Sequence, residues 1–156
     1  MIRSVAAGAI AGAAGEFVLN VLTYSDMFVR ARPASQMPGK VVKRMSEEAG
    51  VELAQPGERP EKAETRQEAG GALLGYGMAI GVAVAYAILR RVGVRLPVPL
   101  AGMAVGGAAM VISNGSATAL GATDPAEWGT AGWISDIVPH AAYGLVTAAT
   151  LEMIDP

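Results

Sequence analysis

Four stretches of the chain run apolar almost without interruption, at residues 4–24, 69–91, 98–120 and 131–153, and a polar stretch, 25–68, separates the first from the second. The apolar residues are clustered rather than spaced at a helix or strand period, which is the pattern of membrane spans. A hydrocarbon core of about 30 Å takes about 20 helical residues at about 1.5 Å each, and all four stretches come close to that length. The predicted fold is all-α: an integral membrane four-helix bundle, one transmembrane domain over residues 1–156, with an additional interfacial amphipathic helix in the 1-2 loop.

That extra helix is expected to open at Pro38 and close at Gly50, with Val41, Val42, Met45 and Ala49 on one side and Lys40, Lys43, Arg44, Glu47 and Glu48 around the rest. Such a piece lies on a membrane surface or packs against the mouth of a bundle. Pro56-Gly57-Glu58-Arg59-Pro60 reads as a turn, and Pro60, Glu61 and Glu64 suit the first turn of a helix that runs on into the second span. In the 3-4 loop, Asp124-Pro125-Ala126-Glu127 has the order of an N-cap, a proline at the first helical position and an acid three residues after the cap. Trp128 and Trp133 follow at the level where amphipathic rings prefer lipid headgroups.

Glycine is spaced by four within the first three spans, as Gly8/Gly12, Gly71/Gly75, Gly77/Gly81 and Gly102/Gly106. Each pair clears side chains from one helix stripe, so that a neighbouring backbone approaches closely. The expected role of these residues is helix packing within the bundle, with a homo-oligomer face as the alternative. The first span carries one acid, Glu16, but resumes as Phe17-Val18-Leu19-Asn20-Val21-Leu22, long enough to cross rather than end as a cleaved leader.

Ionisable groups at bilayer depth are costly and face a bundle interior. Glu16, Asp136 and His140 are the candidates here. Asp136, His140, Tyr143 and Thr147 recur at steps of four, three and four on one face of the last span, and Pro139 lies among them. Glu16 and Asn20 are one turn apart in the first span. If the first and last spans adjoin, Glu16, Asn20, Asp136, His140 and Tyr143 form one buried polar network, with Ser113 and Asn114 of the third span as further partners.

Charge and composition narrow the chemistry. The net charge of −2 offers no basic surface for nucleic acid. With no Cys and a single His, there is no disulfide, thiolate metal site, Cys nucleophile or two-His metal site within one chain. No metal and no cofactor is predicted; haem through His140, with a second axial ligand from a partner, is the alternative weighed. Ser135, Asp136 and His140 have the residue types of a triad, but their adjacency along one helix does not aim a nucleophile at a base. No catalytic residue is assigned. Arg3, Arg90, Arg91 and Arg95 at one side, against a 3-4 loop without Lys or Arg, place both termini in the cytoplasm, although the 1-2 loop carries eight Lys/Arg.

Two motifs give a resemblance: Gly121-Ala122-Thr123-Asp124-Pro125-Ala126-Glu127-Trp128-Gly129 leading to Gly132-Trp133, and Asp136-Ile137-Val138-Pro139-His140-Ala141-Ala142-Tyr143-Gly144. The chain resembles a group of small bacterial four-span membrane proteins, which implies a helical bundle in a bacterial cytoplasmic (inner) membrane and supplies no activity. The expected role is a small non-catalytic accessory or scaffold subunit that binds partner proteins or lipid. The rival expectation is a proton-coupled transporter or channel built on Glu16, Asp136 and His140.

Overall fold

The computed structural model describes residues 1–155. Five α-helices make the fold: α1 (Ile2–Arg30), α2 (Met37–Glu48), α3 (Pro60–Arg91), α4 (Val98–Ala119) and α5 (Gly129–Ile154), with a 3-10 turn at Pro125–Glu127 and no strand among the described residues. The helices α1, α3, α4 and α5 are each long and apolar enough to cross a membrane. The chain is a multi-pass integral membrane protein. Large apolar side chains such as Ile10, Phe17, Leu73, Met103 and Val111 point outward, where lipid replaces water as the neighbour.

The boundaries follow local chemistry. Asp26 pairs with Arg30 one turn later at 2.6 Å, so α1 carries its charged end as helix well beyond the apolar stretch. It stops at Ala31, whose left-handed backbone (φ 50°) turns its N–H to the Met27 carbonyl, two residues before Pro33. Pro60 opens α3, which runs unbroken from the polar loop through the span. Asp124 caps the 3-10 turn by accepting the Ala126 N–H at 2.9 Å. Trp128 then donates its indole N–H to Thr123 Oγ1 at 2.8 Å and packs on Trp133 with ring centroids 5.1 Å apart.

The spans form an antiparallel arrangement in which α1 lies between α3 and α5, α5 lies between α1 and α4, and α3 and α4 touch only sparingly. The core is made of small residues: Ala7, Ala11, Ala79, Ala83, Ala87, Ala101 and Ala148 are buried around Tyr143 and Leu151. Small side chains bring backbones together, and dispersion between them holds helices in lipid, where no hydrophobic drive does so. At Gly8 an added Cβ would lie 2.6 Å from Val84 Cα, and at Gly12 it would lie 2.9 Å from Ile80 Cα, so α1 sits directly on α3. On α4, Gly102 meets Leu145 and Gly106 meets the His140 carbonyl of α5.

The remaining pairs divide. Gly71 meets Pro38 of α2, and Gly75 faces the Glu16 carboxyl. Gly77 and Gly81 meet nothing within 4 Å. The expectation that they pack within the bundle is therefore corrected: they stand on the outward side of α3, in one exposed line with Leu73 and Ala85. Their spacing matches that of the packed pairs, but their angular position on α3 is turned away from Ala79, Ala83 and Ala87, the residues that α1 covers.

Helix α2 docks instead of lying free. Val41 is buried with Ala117 and Ala122, flanked by Met37, Leu74 and Leu120. It thus fills the opening between the start of α3 and the end of α4, while Lys40, Lys43, Arg44, Glu47 and Glu48 stay exposed. Between α2 and α3 the chain is stapled by Glu58, whose carboxylate accepts from Arg66 (2.6 and 3.2 Å), the Gln55 backbone N–H (2.9 Å) and Lys62 (3.0 Å). The Arg66 guanidinium, then the Gln55 amide and Lys62, hold this carboxyl down at about 2, from an ordinary value of 4.5. Because the folded value is depressed, the staple is complete above the ordinary value and is lost as pH falls toward the folded one. The amide protection factor of Gln55 is expected to fall between pH 4.5 and about 2; constant protection over that range would mean that the staple does not form in solution.

Candidate functional site

A cluster of polar and ionisable side chains midway between the spans is built by α1, α4 and α5. On α5, Asp136 and His140 are one turn apart, and the ring Nδ1 lies 2.8 Å from the Asp136 backbone carbonyl and 3.3 Å from the Asp136 carboxylate. A carbonyl oxygen only accepts, so Nδ1 carries the proton. A four-residue step along a helix also puts the Asp136 carboxylate within reach of the ring, but the nearer acceptor is the backbone carbonyl of the same residue. Across the seam, Asn114 of α4 donates its amide N–H to Asp136 Oδ2 at 2.7 Å. Asn114 is 8% exposed, and its Oδ1 is buried with no hydrogen-bond partner.

Glu16 and Asn20 form a second pair. Asn20 Nδ2 donates to Glu16 Oε1 at 3.0 Å and to the Glu16 carbonyl at 3.1 Å. Glu16 is buried, with its carboxyl opposite Gly75 of α3. It lies within electrostatic reach of His140, yet no hydrogen bond joins the Glu16 pair to the Asp136, Asn114 and His140 trio among the described residues. The single network expected from the sequence is thus two adjacent clusters.

Two expected members turn elsewhere. Tyr143, fully buried, donates its hydroxyl to the Ala79 carbonyl of α3 at 2.6 Å. Ser113 bonds its own helix through the Met110 carbonyl at 3.1 Å. Thr147, next along the α5 stripe, reaches the Ala11 carbonyl at 3.4 Å. The α5 face is polar as its spacing predicts, but its lower half ties helices together through backbone carbonyls. Such bonds contribute about 0.6–2 kcal/mol each in a membrane and fix register.

Two polar sites escaped the sequence reading. At the α2 end, Asp26 pairs with Arg30 (2.6 Å) and Arg32 (2.5 Å), and Ser135 of α5 bonds both Arg30 and Asp26. Arg30 and then Arg32 hold the Asp26 carboxyl well below the usual carboxylate range. At the other end Arg90 is 3% exposed, paired with Glu152 at 2.7 Å and with the Asp155 carbonyl at 2.8 Å. The sequence counts Arg90 among the charges that orient the spans; its position also continues the line of Ala79, Ala83 and Tyr86 that faces inward.

Among the described residues no three His, Asp or Glu side chains converge as ligands for a metal ion. A surface hollow of about 750 Å³ is lined by Lys40, Thr118, Asp124, Glu127 and Trp128, where the end of α4 meets α2 and the loop that follows α4. No protein-family profile, curated protein or solved structure matches the chain.

Proposed function

We propose that the chain is a non-catalytic accessory subunit of a membrane assembly, held to another transmembrane helix through the outer face of α3. The supporting observation is the fate of the glycine pairs. Gly8/Gly12 and Gly102/Gly106 are covered by neighbouring helices, while Gly77/Gly81 has the same spacing and open space in front of it. A bare backbone stripe gains dispersion and weak Cα–H···O contacts only when a second helix lies along it. The partner is a transmembrane helix of another protein or of a second copy of this chain. The charged outer side of α2 gives the same assembly a face at the membrane surface.

A proton-coupled transporter or channel draws less support, because a relay through Glu16, His140 and Asp136 lacks a hydrogen bond between its two clusters. The accessory reading is tested by replacing Gly77 and Gly81 together with Leu. Leu is at home in lipid, and neither position has a neighbour to displace, so the bundle itself is expected to keep its stability. Native mass spectrometry of the gently solubilised complex is expected to show wild-type chain with a partner or in multiples of 15.9 kDa, and the double variant as single chains. An assembly of unchanged mass in the double variant would remove the α3 face from the reading.

A further inference from the structure

We infer that the hollow where the end of α4 meets α2 holds the headgroup of a phospholipid that carries a primary amine, with phosphatidylethanolamine as the probe. Its depth follows from α4. That helix has 22 residues, about 33 Å at about 1.5 Å each, so it only just crosses a core of about 30 Å and its end at Thr118 and Ala119 lies at headgroup level. The hollow opens there, about 750 Å³, lined by Lys40 of α2, Thr118 of α4, and Asp124, Glu127 and Trp128 of the segment that follows. Sites for small molecules have volumes of about 300–1,000 Å³, so a headgroup fits.

The charges of the lining select the ligand. Lys40, Asp124 and Glu127 share one hollow, yet among the described residues no ion pair joins the lysine to either acid. Asp124 gives one carboxylate oxygen to the Ala126 N–H at 2.9 Å, while Lys40 and Glu127 are exposed. Opposite charges held apart across a hollow match a ligand that carries both signs: its phosphate toward Lys40 and the Thr118 hydroxyl, its ammonium toward Glu127 and the second oxygen of Asp124. Trp128, its indole N–H tied to Thr123 at 2.8 Å, adds a fixed aromatic wall that attracts a cation. A primary ammonium has N–H groups to donate to the carboxylates, which the quaternary ammonium of a choline lipid lacks. A lipid of net negative charge meets two acids against one lysine.

The acyl end has a path as well. From Thr118 toward the bilayer centre, Gly115, Val111, Ala108 and Ala104 follow at steps of three and four on one side of α4, and all are exposed. Gly115 meets nothing within 4 Å, so small residues on both sides of Val111 leave a shallow track along the helix. Ala108 lies about 15 Å from Thr118, half the hydrocarbon core and the depth that one acyl chain spans. The track is on α4, so this site is independent of the outer face of α3.

The full chain, freed of lipid in detergent, is titrated with phosphatidylethanolamine, phosphatidylcholine and phosphatidylglycerol of identical acyl chains, and bound lipid is counted by native mass spectrometry. One phosphatidylethanolamine per chain is expected to bind about fivefold more tightly than either of the others, the size of one exposed charge pair. Glu127→Lys is expected to reverse the order in favour of phosphatidylglycerol, and Lys40→Gln to weaken phosphatidylethanolamine about fivefold. Both side chains are exposed, and the thermal midpoint of each variant without lipid is expected to equal that of the unaltered chain. Equal affinities for the three lipids in the unaltered chain overturn the inference, as does an order that survives Glu127→Lys or an affinity that survives Lys40→Gln. Glycerophosphoethanolamine, the same headgroup without acyl chains, is expected to displace the lipid only in large excess; displacement at equal concentration overturns the lipid assignment in favour of a soluble zwitterion.

Discussion

Gly144→Val is expected to yield no stably folded protein. A Cβ at residue 144 would run into the carbonyl oxygen of Gly102, and would lie 2.5 Å from the backbone nitrogen and 2.8 Å from the Cα of Gly106. All three are backbone atoms, so no rotamer change relieves the overlap, and the two helices must separate. Separation loosens the seam along its length, including Leu145 over Gly102 and the Asn114 bond to Asp136. Overpacking of a tight core costs about 1–3 kcal/mol and more where the backbone itself must shift; three glycines meeting at one crossing put this site at or above the upper figure. Gly144→Ala is expected to fail in the same way, only less completely. The control is Gly107→Val on α4, which meets nothing within 4 Å and is expected to change stability by less than about 0.5 kcal/mol. Thermal unfolding of the purified chain in detergent separates the two, and a Gly144→Ala variant as stable as wild type would show that α4 and α5 do not approach so closely.

The same seam shows what a linear reading can and cannot reach. Long apolar runs report spans because each residue contributes independently to the cost of leaving lipid, so the four membrane helices and the docked amphipathic α2 were legible. The closeness of α4 and α5 was legible in part: Gly102 and Gly106 mark one side of the crossing, but Gly144, which completes it from α5, belongs to no four-residue pair. Spacing also could not tell Gly8/Gly12 from Gly77/Gly81. Every helix has several faces, and the choice among them is made by the neighbour, which is a property of three dimensions.

The candidate site divides along the same line. Asp136, His140, Tyr143 and Thr147 share a face because 3.6 residues make a turn, and that needed no structure. Where each polar atom finds its partner did need one. Tyr143 goes to the Ala79 carbonyl, and Asn114, hidden within an apolar run beside Ser113, provides the bond that Asp136 receives across the seam. In the sequence Asp26 stands as one acid among the mixed charges of a polar stretch, whereas in the fold it is held by two arginines and reaches Ser135 on another helix.

Arg90 carries this furthest, and leads to an asymmetric expectation: Glu152→Leu is expected to destabilise the bundle by about 2 kcal/mol and Arg90→Met by about 1 kcal/mol or less. The guanidinium is 3% exposed, while Glu152 is half exposed. Removing Glu152 leaves a buried cation with one neutral acceptor, the Asp155 carbonyl, and with an Nε that already has no partner. For a wholly buried pair that loss is about 3–5 kcal/mol; the solvated position of the Glu152 carboxylate lowers it here. Replacing Arg90 with Met keeps much of the aliphatic volume, removes the charge and the unpaired Nε together, and leaves Glu152 where water or headgroups solvate it. The double variant should then be no less stable than Arg90→Met alone, because once the cation is gone its partner has nothing left to neutralise. Unfolding measurements on the two single variants and the double variant close this cycle. If the losses simply add, Arg90 is held by something other than Glu152, and the pairing that joins the end of α3 to the end of α5 must be reassigned.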